Sequence, residues 1–491
     1  MTPPADVIVD QPIDNVVRSA LGWSVLNILV GRVGGSLVGV ALARLLLPAD
    51  YGVYAVALVV LGALLSLNEL GVSLAIVRWP GNVERIAPTV VTVALVTSSA
   101  LYIACFLVAP YLAAALGAPG ATGLLRVLAV GVLIDAVTAV PAAMMTRLFM
   151  QRCRLVIDTA AFAITAPVSI GLAMTGFGGW SLVWGSLIGN LVSAGLILAW
   201  APQRFGPGFD RAVCRELLAF GLPLAAASAL VFAMLNVDYV VVGNRLGPIA
   251  LGSYLLAFNL SSWPVTLFSS PVRRVSMPAF ARLQHDPQGL AEVFARAVAL
   301  LLAATLPVCL LLALLARPLV EVVFGVKWVS AAGVLPYLAV LAVVRVLVEL
   351  GYDLLVALGR TRANVSIQGI WLVLLVPALM IGSEYGGIVG VGRAHALVAS
   401  VVVTPACILV LQRAGVSLRR VGVLMLRPVI GLVAATVTSL AVLHMVTGPA
   451  VQLAVGGGFA LLCYAAVAHP MLQLLRSDAP VASSAGLVAS A

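Results

Sequence analysis

The sequence predicts an all-α polytopic membrane protein of about fourteen transmembrane helices, arranged as two parallel-repeat six-helix lobes followed by two C-terminal helices. Three observations carry that prediction. Apolar residues make up 62% of the 491-residue chain and charged residues only 9%, with a mean hydropathy of +1.14, so there is too little polar surface to coat a soluble globule. Nearly the whole length breaks into apolar stretches of about 20 residues or more, enough for a helix to cross about 30 Å of hydrocarbon. One short phrase is also written twice, as PADYGVYAVA at 48–57 and PIALGSYLLA at 248–257.

Taken in order, the first 14 residues carry Asp6, Asp10, Asp14 and prolines without a basic stretch. They read as a disordered cytoplasmic lead rather than a targeting signal. Spans are then expected near 15–47, 51–77, 87–113, 122–145, 156–177 and 179–200, the N-lobe of residues 15–200. A cytoplasmic linker, 201–215, leads to spans near 216–243, 246–271, 291–316, 329–357, 364–382 and 386–412, the C-lobe of 216–413. Residues 414–475 hold an appended pair, 422–446 and 450–475, and 476–491 form a cytoplasmic tail.

The charges check this order independently. Alternate loops are basic, with Arg78 and Arg85; Arg147, Arg152 and Arg154; Arg204, Arg211 and Arg215; Arg273, Arg274 and Arg282; Arg360 and Arg362; and Arg413, Arg419, Arg420 and Arg427. The loops between them hold little beyond Arg44, Arg126, Arg245, Arg317 and Lys327. The positive-inside rule makes the first set cytoplasmic, with both termini on that side of a cell inner membrane. The formal net charge of +10 is therefore explained by topology in a lipid bilayer, and no nucleic-acid partner is expected. Six scattered cysteines without a CxxC pair read as small apolar fillers, and no metal site follows from them.

The doubled phrase lies just after an odd-numbered span in both copies, six spans apart. The echo continues in RVLAVGVLID (126–135) and PYLAVLAVVR (336–345), in Arg152-Cys153-Arg154 and Arg360-Thr361-Arg362, and in Gly178-Gly179 and Gly386-Gly387. An even number of spans between copies gives both halves one orientation, a parallel repeat about an axis along the membrane normal. Such halves enclose a central cavity that opens to one side at a time.

The segments LARLLLPADYGVYAVA…LNELGVSLAIVR and FGLPL…NVDYVVVGNRLGPIALGSYLLAFNLSSWPV…MPAFARLQHDP, then LVEVVFG…W and LALGR, resemble the Wzx-type oligosaccharide-lipid flippases of the multidrug/oligosaccharidyl-lipid/polysaccharide exporter superfamily. The resemblance spans nearly the whole chain. It implies two six-helix lobes plus two helices that move a polyprenyl-diphosphate-linked saccharide from the cytoplasmic to the outer leaflet. Polysaccharide polymerase and export machinery are the further partners it implies.

Ionisable groups inside spans are costly to insert and tend to face a cavity or a partner. Arg32 lies fourteen residues past Arg18, about 21 Å along a helix, near the middle of span 1. A guanidinium facing a cavity can hold a diphosphate through paired hydrogen bonds, whereas an ion pair with Glu69 is the structural alternative. Arg345, Glu349 and Asp353 recur every four residues on one face of span 10. They line a wet wall, or else Arg345 and Glu349 satisfy each other within the helix. Asp135, the repeat counterpart of Arg345, is expected to gate by pairing with it.

Asp238 with Asn236 is a candidate for a coupling proton or cation, with a structural hydrogen-bond role as the alternative. Asn259 and Arg393 are further cavity candidates, and His395 and His444 read as packed residues. Gly31, Gly35 and Gly39 form a small-xxx-small ladder that predicts close helix packing on span 1.

The chain has no GxxxxGK[ST] motif and a single lysine, Lys327, so it is not an ATP-driven pump, and no cofactor is expected. It has no catalytic motif, and its short outer loops argue against a membrane-embedded polymerase or glycosyltransferase. A drug or cation antiporter of the same superfamily would share the repeat but line its cavity with acids and aromatics rather than arginines.

Overall fold

The computed structural model describes residues 13–68, 76, 83–203, 205–413, 416 and 419–477. These residues contain no strand, as an apolar chain must satisfy its backbone hydrogen bonds internally to cross lipid. Among them, eleven helices are long and apolar enough to span a membrane. The lead and the tail lie largely outside the described residues, as do Glu69, Arg78 and Arg204.

The chain folds as two units, Met1–Gly252 and Ser253–Ala491. The first holds α1 (Ile13–Leu45), α2 (Pro48–Asn68), α3 (Val83–Ala115), the short α4 (Thr122–Leu128), α5 (Val130–Arg147), α6 (Gln151–Met174), α7 (Trp180–Trp200) and most of α8 (Arg211–Pro264). One core joins Ala57, Val60 and Leu64 of α2 to Cys105 and Ala109 of α3, Leu125 of α4 and Val132 of α5. A second joins Ile86 and Val90 of α3 to Val140 and Met144 of α5 and Leu217 of α8. Small residues bring α6 and α7 together, with Gly189 against Thr165 and Gly185 against Ser169.

The second unit begins within α8 and continues through α9 (Ser270–Arg282), α10 (Pro287–Leu314), α11 (Ala316–Val323), α12 (Val329–Ala357), α13 (Thr361–Val398), α14 (Thr404–Arg413), α15 (Arg419–Met445) and α16 (Gly457–Ser477). Helix α10 starts a turn before the expected span at 291, because Asp286 caps it by accepting from the N–H groups of Gln288 and Gly289 and Pro287 occupies the first turn. Helices α15 and α16 dock on α10, where the Tyr464 hydroxyl donates to the Ala303 carbonyl at 3.0 Å.

The breaks expected between spans 7 and 8 and between spans 11 and 12 are kinks rather than loops. Helix α8 continues through Gly247 (φ 80°) and α13 through Gly387 (φ 54°), conformations open to glycine and strained for other residues. Left-handed residues recur along the chain with the repeat. Gly117 and Gly325, Phe149 and Gly359, and Gly178 and Gly387 stand 208, 210 and 209 residues apart. At the second pair even the hydrogen bonds match: Met150 to Met145 and Phe149 to Thr146 in one copy, Arg360 to Leu355 and Gly359 to Val356 in the other.

The glycine ladder on α1 does not pack as expected. A Cβ at Gly31, Gly35 or Gly39 would meet nothing within 4 Å, whereas one at Gly34 would lie 2.7 Å from the Phe162 ring of α6. Helix α1 runs along α6, and the ladder lies on other sides of it.

Candidate functional site

In the first unit, Arg32 stands two residues before Gly34, about 200° around the helix from the glycine that packs on α6. Its side chain is exposed, and among the described residues its guanidinium meets no carboxylate. Its backbone carbonyl accepts from the Ser36 hydroxyl at 2.7 Å. Five residues earlier, Asn27 donates to Asp158 of α6 at 2.7 Å, fixing α1 against its neighbour. The arrangement leaves a positive, multi-donor group facing open space on a helix anchored from the other side.

Asp135 of α5 is also exposed, and it accepts from Asn68 Nδ2 of α2 at 3.3 Å. Asn68 is buried and accepts in turn from the Ser98 hydroxyl of α3 at 2.7 Å. Three helices therefore aim one carboxylate. The sequence pattern singles out neither Asn68 nor Ser98, although Asn68 is the second residue of the LNELG segment.

The second unit collects the span 10 stripe. Arg273 of α9 grips Asp353 of α12 with two hydrogen bonds, Nε to Oδ2 at 2.6 Å and Nη2 to Oδ1 at 2.7 Å. Its Nη1 reaches Glu349 at 3.2 Å, and the Ser269 hydroxyl donates to the same Glu349 oxygen at 2.8 Å. The Asp353 side chain is only 4% exposed, so this bidentate contact is what makes a buried carboxylate tolerable. The same contact holds the Arg273 guanidinium above its ordinary pKa.

A five-residue π turn, Val265–Ser269, sits between α8 and α9 and sets their register. Pro264 precedes it and Pro271 follows it, and neither can donate a backbone hydrogen bond to the preceding turn. The wider turn changes the direction in which Ser269 and Arg273 project, and both reach α12.

Glu349 thus pairs outside its own helix rather than with Arg345. Arg345 instead lies over the Phe258 ring at 5.6 Å, and among the described residues it meets no carboxylate. The sequence had counted Arg273 only as a basic loop residue. Its role depends on the π turn, which no local pattern announces.

The remaining candidates separate. Asp238 is buried and accepts from the Tyr239 N–H at 3.0 Å, while Asn236 donates to the Phe232 carbonyl of its own helix at 2.8 Å. Arg393 lies 5.3 Å over the Tyr337 ring and donates to its hydroxyl at 3.2 Å. Asn259 is exposed beside Phe258, and His395 is buried edge-on to Trp371 at 6.3 Å. Glu69, the possible partner of Arg32, is outside the described residues.

Residues 41–333 match the family described as polysaccharide biosynthesis protein. Over 391 residues the chain is 25% identical to the lipopolysaccharide biosynthesis protein WzxC of Escherichia coli K12, covering 77% of this chain and 78% of that one. It is 29% identical over 327 residues to the succinoglycan biosynthesis transport protein ExoT of Rhizobium meliloti, covering 66% and 65%. Its fold is similar to the inward closed conformation of the lipid II flippase MurJ, with a TM-score of 0.73 and 14% identity over 91% of this chain and 99% of that one.

Proposed function

Because the chain belongs to the polysaccharide biosynthesis protein family, we propose that it is a flippase that moves polyprenyl-diphosphate-linked oligosaccharide from the cytoplasmic to the outer leaflet of the cell's inner membrane. WzxC and ExoT, named for lipopolysaccharide biosynthesis and succinoglycan transport, support a saccharide cargo, and the MurJ-like fold supports a flippase scaffold. The site observation that carries the reading is Arg32, an exposed guanidinium on an apolar helix with no carboxylate beside it among the described residues. A diphosphate accepts paired hydrogen bonds from that group while the saccharide travels through water.

In this reading the lobes 15–200 and 216–413 alternate in access, 414–475 is an appended pair, and both termini are cytoplasmic. Asp135, aimed by Asn68, and the Glu349–Asp353–Arg273 cluster are the groups through which an ion gradient or membrane potential acts. Within the second unit, Arg345 and Arg393 are further cations able to hold the cargo's phosphates. Polymerase and export machinery receive the product at the outer surface.

The test is the leaflet distribution of lipid-linked saccharide in sealed vesicles. Purified protein under an imposed potential or proton gradient should move the lipid across, and Arg32→Ala should slow that movement roughly thirtyfold, the loss of about 2 kcal/mol of charge-assisted hydrogen bonding, at unchanged expression. Arg32→Lys, which keeps the charge and loses the fork, should fall between them. Export of cationic dyes with no lipid movement would replace this reading with an antiporter.

A further inference from the structure

One turn is built twice in this chain, once with phenylalanine and once with glycine. Phe149 (φ 55°) and Gly359 (φ 69°) close α5 and α12 with matching backbone hydrogen bonds. The turn residues are Leu148-Phe149-Met150 in the first unit and Leu358-Gly359-Arg360 in the second. The second copy is an internal control, because it forms the same backbone without a ring. A side chain in the left-handed region is strained, and strain kept at one position points to a task for the residue that bears it.

The neighbouring residues fix the turn and leave its apolar side chains outward. Arg147 Nη1 donates to the Ile76 carbonyl at 2.6 Å, and Arg154 Nη1 donates to the Thr146 hydroxyl at 2.9 Å, so cations brace the turn from both sides. Leu148 is 39% exposed and Phe149 53%. Arg152 is exposed as well, with its guanidinium 5.7 Å over the Trp23 ring of α1. The turn of the second unit is tied inward instead, where Arg360 Nη1 donates to the Arg413 carbonyl at 2.9 Å.

Only residues 148–150 separate two segments that are each long and apolar enough to cross a membrane. An apolar tip in that position stands where hydrocarbon meets headgroups, the depth that aromatic side chains favour, and arginines beside it match an anionic leaflet. We propose that Leu148 and Phe149 anchor the first unit in the interface of the leaflet on the arginine-rich side, with Arg152 on the phosphates of anionic phospholipids. The occupant is bulk lipid, so the anchor is independent of what the protein carries.

The test uses full-length protein with its six native cysteines replaced, in vesicles of phosphatidylcholine with and without phosphatidylglycerol. Leu148→Cys carries a small environment-sensitive fluorophore beside the intact ring, and Arg360→Cys carries the same label on the counterpart turn. Nitroxide-labelled phospholipid should quench the label at 148, and aqueous iodide should quench it several-fold less than the label at 360. Nitroxide-labelled phosphatidylglycerol should quench at 148 more strongly than nitroxide-labelled phosphatidylcholine. Arg152→Gln should cut that preference about fivefold, the effect of one cation near an anionic surface.

Phe149→Gly keeps the turn, since glycine already occupies the counterpart position, and should open the label at 148 to iodide. Detergent receives the ring in folded and unfolded chains alike, so depth in the bilayer reports the anchor and the unfolding midpoint does not. Equal iodide quenching at 148 and 360 overturns the proposal, as does a phosphatidylglycerol preference that survives Arg152→Gln. Protection from iodide that appears only on adding a cytosolic protein fraction also overturns it, and makes the turn a docking site for a soluble partner.

Discussion

Phe149 shows what one residue reveals when its repeat counterpart is known. It closes helix α5 in the left-handed region (φ 55°) with the same pair of hydrogen bonds that Gly359 makes at the end of α12. Glycine takes that conformation freely, whereas a residue with a Cβ gives up about 1–2 kcal/mol there. Phe149→Gly should therefore raise the unfolding midpoint in detergent, by at most about 1 kcal/mol after the greater freedom of an unfolded glycine is subtracted. Gly359→Phe should lower it by about 1–2 kcal/mol. A lower midpoint for Phe149→Gly would instead mean that the exposed ring, on a turn flanked by Arg147 and Arg152, contributes a contact of its own.

Among elements, the π turn before α9 matters most, because it determines which charges meet. Arg273 serves two carboxylates, and its removal leaves Glu349 and buried Asp353 facing each other without a counter-charge. Arg273→Ala is expected to cost about 3–5 kcal/mol of stability, the usual result of stranding a buried charge. Arg273→Lys should cost less, since it restores the charge without the two-pronged grip. Combining Arg273→Ala with Asp353→Asn should recover part of the loss in a double-mutant cycle of unfolding midpoints. Strict additivity would show that the pair contributes nothing. Arg345, one turn away and held over Phe258, is then the stripe's available cation.

For the whole molecule, the alternation of arginine-rich and arginine-poor loops makes a direct claim about topology. In a cysteine-free background, Arg152→Cys should react with an impermeant reagent only from the cytoplasmic side of sealed vesicles, and Arg317→Cys only from the other. Reaction of both from one side would break the orientation on which the direction of transport rests. The helical class, the places where α8 and α13 turn, and the repeat were all legible beforehand. Each depends on local quantities: apolar length, arginine placement, and glycines at a fixed offset. The glycine ladder of α1 was misread because spacing specifies a face but not whether another helix covers it.

What the sequence by itself determined was the solvent, the element type and the duplication, since hydropathy and period are properties of consecutive residues. It also marked Arg32, Asp135, Glu349 and Asp353, because a charge inside an apolar run is conspicuous wherever the chain goes. Only the tertiary structure decided their partners. Arg273 is paired with Asp353 from 80 positions away, Asn68 with Asp135 from 67, and the two copies of PxxxG with each other from 200. Such pairings depend on helix register, on a π turn and on backbones brought together by missing side chains. None of these is encoded in the neighbours of a single residue, so a conspicuous charge could be located from the sequence but its environment could not.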